Sequence, residues 1–238
     1  MHLSLTDYCL WLASPLLLVG VLIAMLVKNL YREYPYFFTY TVLQVLSALF
    51  LLMVRNSPIP YYYGYWVTSV ICVVISFAVL WEVSREALRP NEALRDFSAV
   101  LFRWAVLVLI LVGGMWAVTT IHSDGRDSIT AIVLLADRSV RLMQCALVFF
   151  ILLSSEYVGI SRRHVLFGIA LGFGLFTSVN LLVATGMSHP AIMQASVLRR
   201  INLAAQDIAA LIWLGYTALA PSRSDNSQTP LRLAVRIK

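Results

Sequence analysis

TAIVLLADRSVRLMQCALVFFILLSS, residues 130–155, decides how many helices this chain puts through a bilayer. Its flanks are apolar enough for a spanning helix, yet its middle carries Asp137, Arg138, Arg141 and Gln144 within two helical turns. Such a cluster is expensive in hydrocarbon, so it marks either an aqueous cavity or a helix that begins outside the membrane. A span of about 20 residues counted back from Ser155 starts near Leu135 and places the cluster in its outer third. At helical spacing Asp137, Arg141 and Gln144 share a face, with Asp137 and Arg141 able to pair at i,i+4 and Arg138 beside them. One positive charge is left over.

Outward from this stretch the chain repeats the same pattern. Apolar segments cover about 8–27, 35–54, 63–83, 98–121, 130–155, 165–186 and 200–220, separated by turns rich in charge, Pro or Gly. With 60% hydrophobic and only 13% charged residues, the chain has far more apolar material than a soluble core of its length requires. Seven spans use up residues 1–220 and leave no room for a separate soluble domain. The expected fold is therefore all-α: a polytopic seven-helix transmembrane bundle followed by a short basic tail, 221–238, that reads as disordered.

The net charge of +6 is distributed between the apolar segments, which argues for topology and against nucleic acid. Lys28, Arg32, Arg85, Arg89, Arg95, Arg162, Arg163, Arg223, Arg232, Arg236 and Lys238 fall in one set of loops and the C-terminus. Only Arg55, Arg126, Arg199 and Arg200 fall in the other. Eleven against four places the C-terminus in the cytoplasm and the N-terminus outside, as in a bacterial inner-membrane protein. Tyr61, Tyr62, Tyr63, Tyr65 and Trp66 then form an outer aromatic belt, and Tyr31, Tyr34, Tyr36, Phe37 and Phe38 an inner one. No Lys or Arg precedes the first apolar segment, so it reads as a retained helix rather than a secretory signal. Cys9, Cys72 and Cys145 lie inside apolar segments without metal-ligand spacing and read as small core residues.

Polar residues recur at the depth of the charged cluster. Arg200, Asn202, Gln206 and Asp207 open the seventh segment, and Asn180 lies in the outer part of the sixth. One reading joins Asp137, Arg138, Arg141, Gln144, Asn180, Gln206 and Asp207 into an outward-facing pocket between segments five, six and seven. Its guanidinium forks would hold an anionic or polar small ligand. The other reading is an internal network, Asp207 with Arg138 or Arg141, that fixes helix packing. Elsewhere, Gly168 and Gly172 give a GxxxG that lets a helix approach closely. Gln44 reads as a bond to a neighbouring helix, and Glu82 as part of a solvated extension or as a latch to Arg103. His2, His122, His164 and His189 all fall outside the spans, so no intramembrane zinc site is expected, and no cofactor is implied.

Seven helices with an external N-terminus resemble the plan of microbial rhodopsins and receptor-type membrane proteins. Retinal would require a lysine in the last helix, and Lys28 and Lys238 are the only lysines. The Pro-Gln pair of seven-helix sugar transporters is missing too, as are the intramembrane histidines of the zinc-dependent hydrolases. The resemblance is one of plan alone and transfers no site residue. The expectation is a sensor or receptor-like module in the lipid bilayer, signalling through a cytoplasmic protein partner at the basic loops. The alternatives are a small-solute or proton-coupled transporter and a lipid-modifying enzyme that uses Asp137 and Asp207.

Overall fold

A computed structural model of the chain describes residues 5–88, 126–158, 165–186 and 195–220, with isolated helical positions between 96 and 107. The fourth apolar segment lies largely outside the described residues, and the tail 221–238 entirely so. Among the described residues all regular structure is helical: α1 (Leu5–Val27), a single 3-10 turn (Leu30–Arg32), α2 (Pro35–Met53), α3 (Pro58–Ala87), α4 (Arg126–Val158), α5 (Val165–Gly186) and α6 (Ala195–Leu219). The fifth, sixth and seventh apolar segments are thus α4, α5 and α6. Local chemistry sets several boundaries. Pro35 and Pro58 stand in the first turns of α2 and α3, where the missing N–H costs no helical bond. Asn29 takes the left-handed conformation (φ 57°) that ends α1, a conformation Asn tolerates better than most residues.

The helices pack as a closed ring in chain order, each against the next, with α6 returning to α1 and α3 also touching α5. Three of them are long and apolar enough to cross a membrane: Pro35–Met53, Ile59–Ala87 and Val165–Thr185. The exterior has the character that such helices require. Leu12, Leu16, Val19, Ile23 and Leu26 recur every three or four residues along the exposed face of α1, and Val67, Val70, Ile71 and Val74 do the same on α3. Exposed apolar faces of this kind suit lipid rather than water. Threonines in the bundle satisfy themselves in the same spirit: Thr41, Thr177 and Thr217 each donate to the carbonyl four residues earlier, at 2.9, 2.7 and 2.7 Å.

Two charged side chains tie helices together at the end of the ring that carries the 28–34 turn. Lys28 Nζ donates to the carbonyls of Ala218 and Ala220, placing a cation on the C-terminus of α6. Glu82 of α3 accepts the backbone N–H of Tyr36 at 3.2 Å and of Phe37 at 3.1 Å, placing an anion on the N-terminus of α2. Both arrangements oppose the local helix dipole and satisfy backbone groups that a helix end leaves bare. Glu82 therefore does latch two helices, but its partner is the first turn of α2 and not Arg103. Beside it Tyr34 is buried, and that burial, with Glu33, Glu86 and Glu82 nearby, pushes its phenol well above the usual range.

Close packing of α5 on α6 explains the GxxxG. A Cβ on Gly172 would overlap the indole of Trp213, lying 2.8 Å from its Cδ1 and Cε2, and one on Gly168 would lie 2.6 Å from Tyr216 Cδ2. Those glycines admit the large side chains of α6 in the same chain, so the motif serves internal packing.

Candidate functional site

The middle of the ring is not filled. A cavity of about 730 Å³ lies there, walled by all six described helices, a volume in the range of small-molecule sites. Its lining comes from one half of the bundle, the half nearest the α2–α3 turn and the start of α6. Arg55, Tyr61 and Arg199 stand at that rim, and Tyr40, Leu18 and Phe173 lie farthest from it.

Four of the residues predicted for a site share this wall: Arg141, Gln144, Asn180 and Gln206. Gln144, 4% exposed, donates from Nε2 to Ser76 Oγ of α3 at 2.6 Å, and Ser76 in turn donates to the Val73 carbonyl at 2.6 Å. Asn180 donates from Nδ2 to the Phe176 carbonyl at 2.8 Å. Two others lie off the wall. Arg138 donates from one terminal nitrogen to the Ala184 carbonyl at 3.1 Å, bracing α4 against the end of α5, while its Nε is buried without a partner among the described residues. Asp207 is buried and keeps Oδ1 without a hydrogen-bond partner among the described residues. The predicted Asp207–Arg138 network is therefore not how Arg138 is held. Asp137 belongs to α4, but its side chain lies outside the described residues.

The other half of the wall comes from α1, α2 and α3, which sequence reasoning had not brought to the site. Ser14, 5% exposed, lines the cavity with a hydroxyl that has no partner among the described residues, and Ser47 lines it beside Cys72. Pro15, next to Ser14, has no N–H to offer the Trp11 carbonyl, so α1 carries a freed backbone acceptor at this level. Gln44 lines the cavity too and donates to the Tyr40 hydroxyl at 2.8 Å within its own helix rather than to a neighbour. One signal for the wall was legible: Arg199, Asn202 and Gln206 recur at i, i+3 and i+7 and, with Leu203 among them, form one largely polar stripe on α6.

Below the polar tier the cavity ends on an aromatic cluster. Ring centroids lie 5.0 Å apart for Tyr40–Phe173, 5.0 Å for Phe173–Trp213 and 5.4 Å for Phe37–Trp213. Trp213 is anchored further by its indole N–H, which donates to the Ile169 carbonyl at 3.3 Å. Edge and tilted contacts of this kind hold rings in fixed places. The floor closes the cavity toward the end where Lys28 and Glu82 tie the helices.

Electrostatically the wall is one-sided. Arg55, Arg141 and Arg199 line it, and among the described residues no Asp or Glu does. In a low-dielectric ring such a surface attracts anions and repels cations. Chemically it offers forked donors, hydroxyls and amides above an aromatic base, the pattern of a binding site. No family model, curated protein or solved structure matches the chain.

Proposed function

We propose that this chain is a seven-helix protein of the bacterial inner membrane, N-terminus outside and C-terminus cytoplasmic. In this reading it acts as a sensor or receptor-like module that admits an anionic or polar small ligand into the ring cavity from the outer side. The observation that carries the proposal is the cavity itself, with three arginines on its wall and no acidic side chain among the described lining residues. The orientation adds support, because the cavity half of the bundle is the half whose loops are poor in Lys and Arg. Arg141 is the central ligand-binding residue, with Gln144, Asn180 and Gln206 around it. A signal would leave through a cytoplasmic protein partner on the basic loops that hold Arg85 and Arg162.

Transport is the second reading, and it requires the Tyr40–Phe173–Trp213 floor to part. Two-aspartate chemistry has less to draw on, since Asp207 is not on the cavity wall. The test is ligand binding by the purified chain in lipid nanodiscs. Small carboxylates and phosphates are expected to raise the unfolding temperature of the wild type and to have little effect on Arg141→Gln. Stabilisation by cations in place of anions, or an unchanged response in Arg141→Gln, would remove the basis for the proposal. Accumulation of the same anions in proteoliposomes would select transport over sensing.

A further inference from the structure

The arginines of the cavity stand at two depths. Along α3 the lining runs from Tyr61 to Ser76, about 22 Å at the rise of an α-helix. A sphere of the same 730 Å³ would be only about 11 Å across, so the space is drawn out along the ring axis. Contacts between helices fix the levels within it. Arg138 meets Ala184 and Cys145 meets Ser178, which sets α4 against α5. Gly172 meets Trp213 and Gly168 meets Tyr216, which sets α5 against α6. Arg141 is thereby level with the neighbourhood of Leu203, about four residues or roughly 6 Å deeper than Arg199. Lys28 against Ala218 and Gly20 against Leu214 align α1 with α6 and put Ser14 within about a turn of Arg141 in depth.

The lower tier thus combines a guanidinium with the Ser14 hydroxyl, which is buried on the cavity wall and has no partner among the described residues. The upper tier, at the rim, has Arg199 and Arg55. Each tier offers charge-assisted donors matched to a carboxylate, and the wall between them carries no acidic side chain among the described residues. A compact inorganic anion would engage one tier and leave the other solvated.

We propose that the cavity takes a linear organic dianion of the dicarboxylate class, one end held by Arg141 and Ser14 and the other by Arg199 and Arg55. This rests on the anion-binding reading above and adds to it the ligand's length and second charge. The two tiers differ in backbone level by about 6 Å, and an extended chain of about six carbons, at roughly 1.25 Å of advance per bond, has the length to reach from one to the other.

Titration calorimetry on the full chain in nanodiscs, with malonate, glutarate, adipate, suberate and hexanoate as probes, tests it. Affinity is expected to peak at glutarate or adipate, with adipate at least tenfold tighter than hexanoate. Arg199→Gln, at the exposed rim, is expected to remove the advantage of adipate over hexanoate. A flat response to chain length, or hexanoate binding as tightly as adipate, overturns the two-tier assignment while the anion site stands. Failure of every carboxylate and of inorganic phosphate to bind overturns both.

Discussion

Gly172→Ala adds one methyl group at the tightest point between α5 and α6, and its cost follows from what surrounds it. The new Cβ would overlap the Trp213 indole, with Cδ1 and Cε2 at 2.8 Å, so one of the two must move. Trp213 is poorly placed to yield: it packs on Phe37 and Phe173 and donates to the Ile169 carbonyl. Overpacking a dense core costs about 1–3 kcal/mol. Displacing the indole would also weaken two aromatic contacts at about 0.5–1.5 kcal/mol each and a hydrogen bond of about 1 kcal/mol. A loss of about 3–7 kcal/mol is expected, which for a chain of this size lowers Tm by roughly 6–28 °C at about 2–4 °C per kcal/mol. Gly215→Ala is the matched control, because a Cβ there meets nothing within 4 Å. It should be neutral or stabilising by up to about 1 kcal/mol, the helix preference of Ala over Gly. Both variants can be followed by thermal unfolding in detergent, using size-exclusion elution of the surviving fold. A Gly172→Ala protein that unfolds within a degree or two of the wild type would refute the close approach and the aromatic floor built on it.

Other consequences are equally specific. Glu82→Gln keeps an acceptor but loses the anion at the start of α2, and is expected to destabilise by about 1–2 kcal/mol in the same assay. Lys28→Met leaves the Ala218 and Ala220 carbonyls without their cation and should cost about 1 kcal/mol, while dianion binding at the far end is unchanged. In a Cys9→Ala, Cys145→Ala background, Cys72 on the cavity wall should react with a membrane-impermeant thiol reagent added to spheroplasts, and adipate should slow the labelling. Labelling only from the cytoplasmic side would reverse the proposed orientation.

Element positions were legible because long apolar runs punctuated by Pro, Asn and charge leave a helix few alternatives. The boundaries of α2 and α5 follow directly from Pro35, Val165 and Gly186. The site was only half legible. Arg141, Gln144, Asn180 and Gln206 announce themselves as polar residues in apolar helices, whereas Ser14 and Ser47 look like ordinary small residues on α1 and α2. What makes those serines notable is ring closure, which places them on the same cavity wall as Arg141, and closure depends on contacts between distant helices that no local pattern encodes. Arg138 shows the converse. Its charge drew it into the predicted pocket, but the Ala184 carbonyl at the end of α5 accepts its hydrogen bond.

The bond from Lys28 to the end of α6 spans 190 residues of sequence. During synthesis at about 5–20 residues per second, α1 therefore waits roughly 10–40 s for the neighbour that completes its packing. Through that interval Ser14, the carbonyl freed by Pro15 and the Lys28 ammonium are exposed to whatever the insertion machinery or the lipid supplies. Ring closure therefore waits on α6, and a chain truncated before Ala195 would lack the helix that joins α5 to α1.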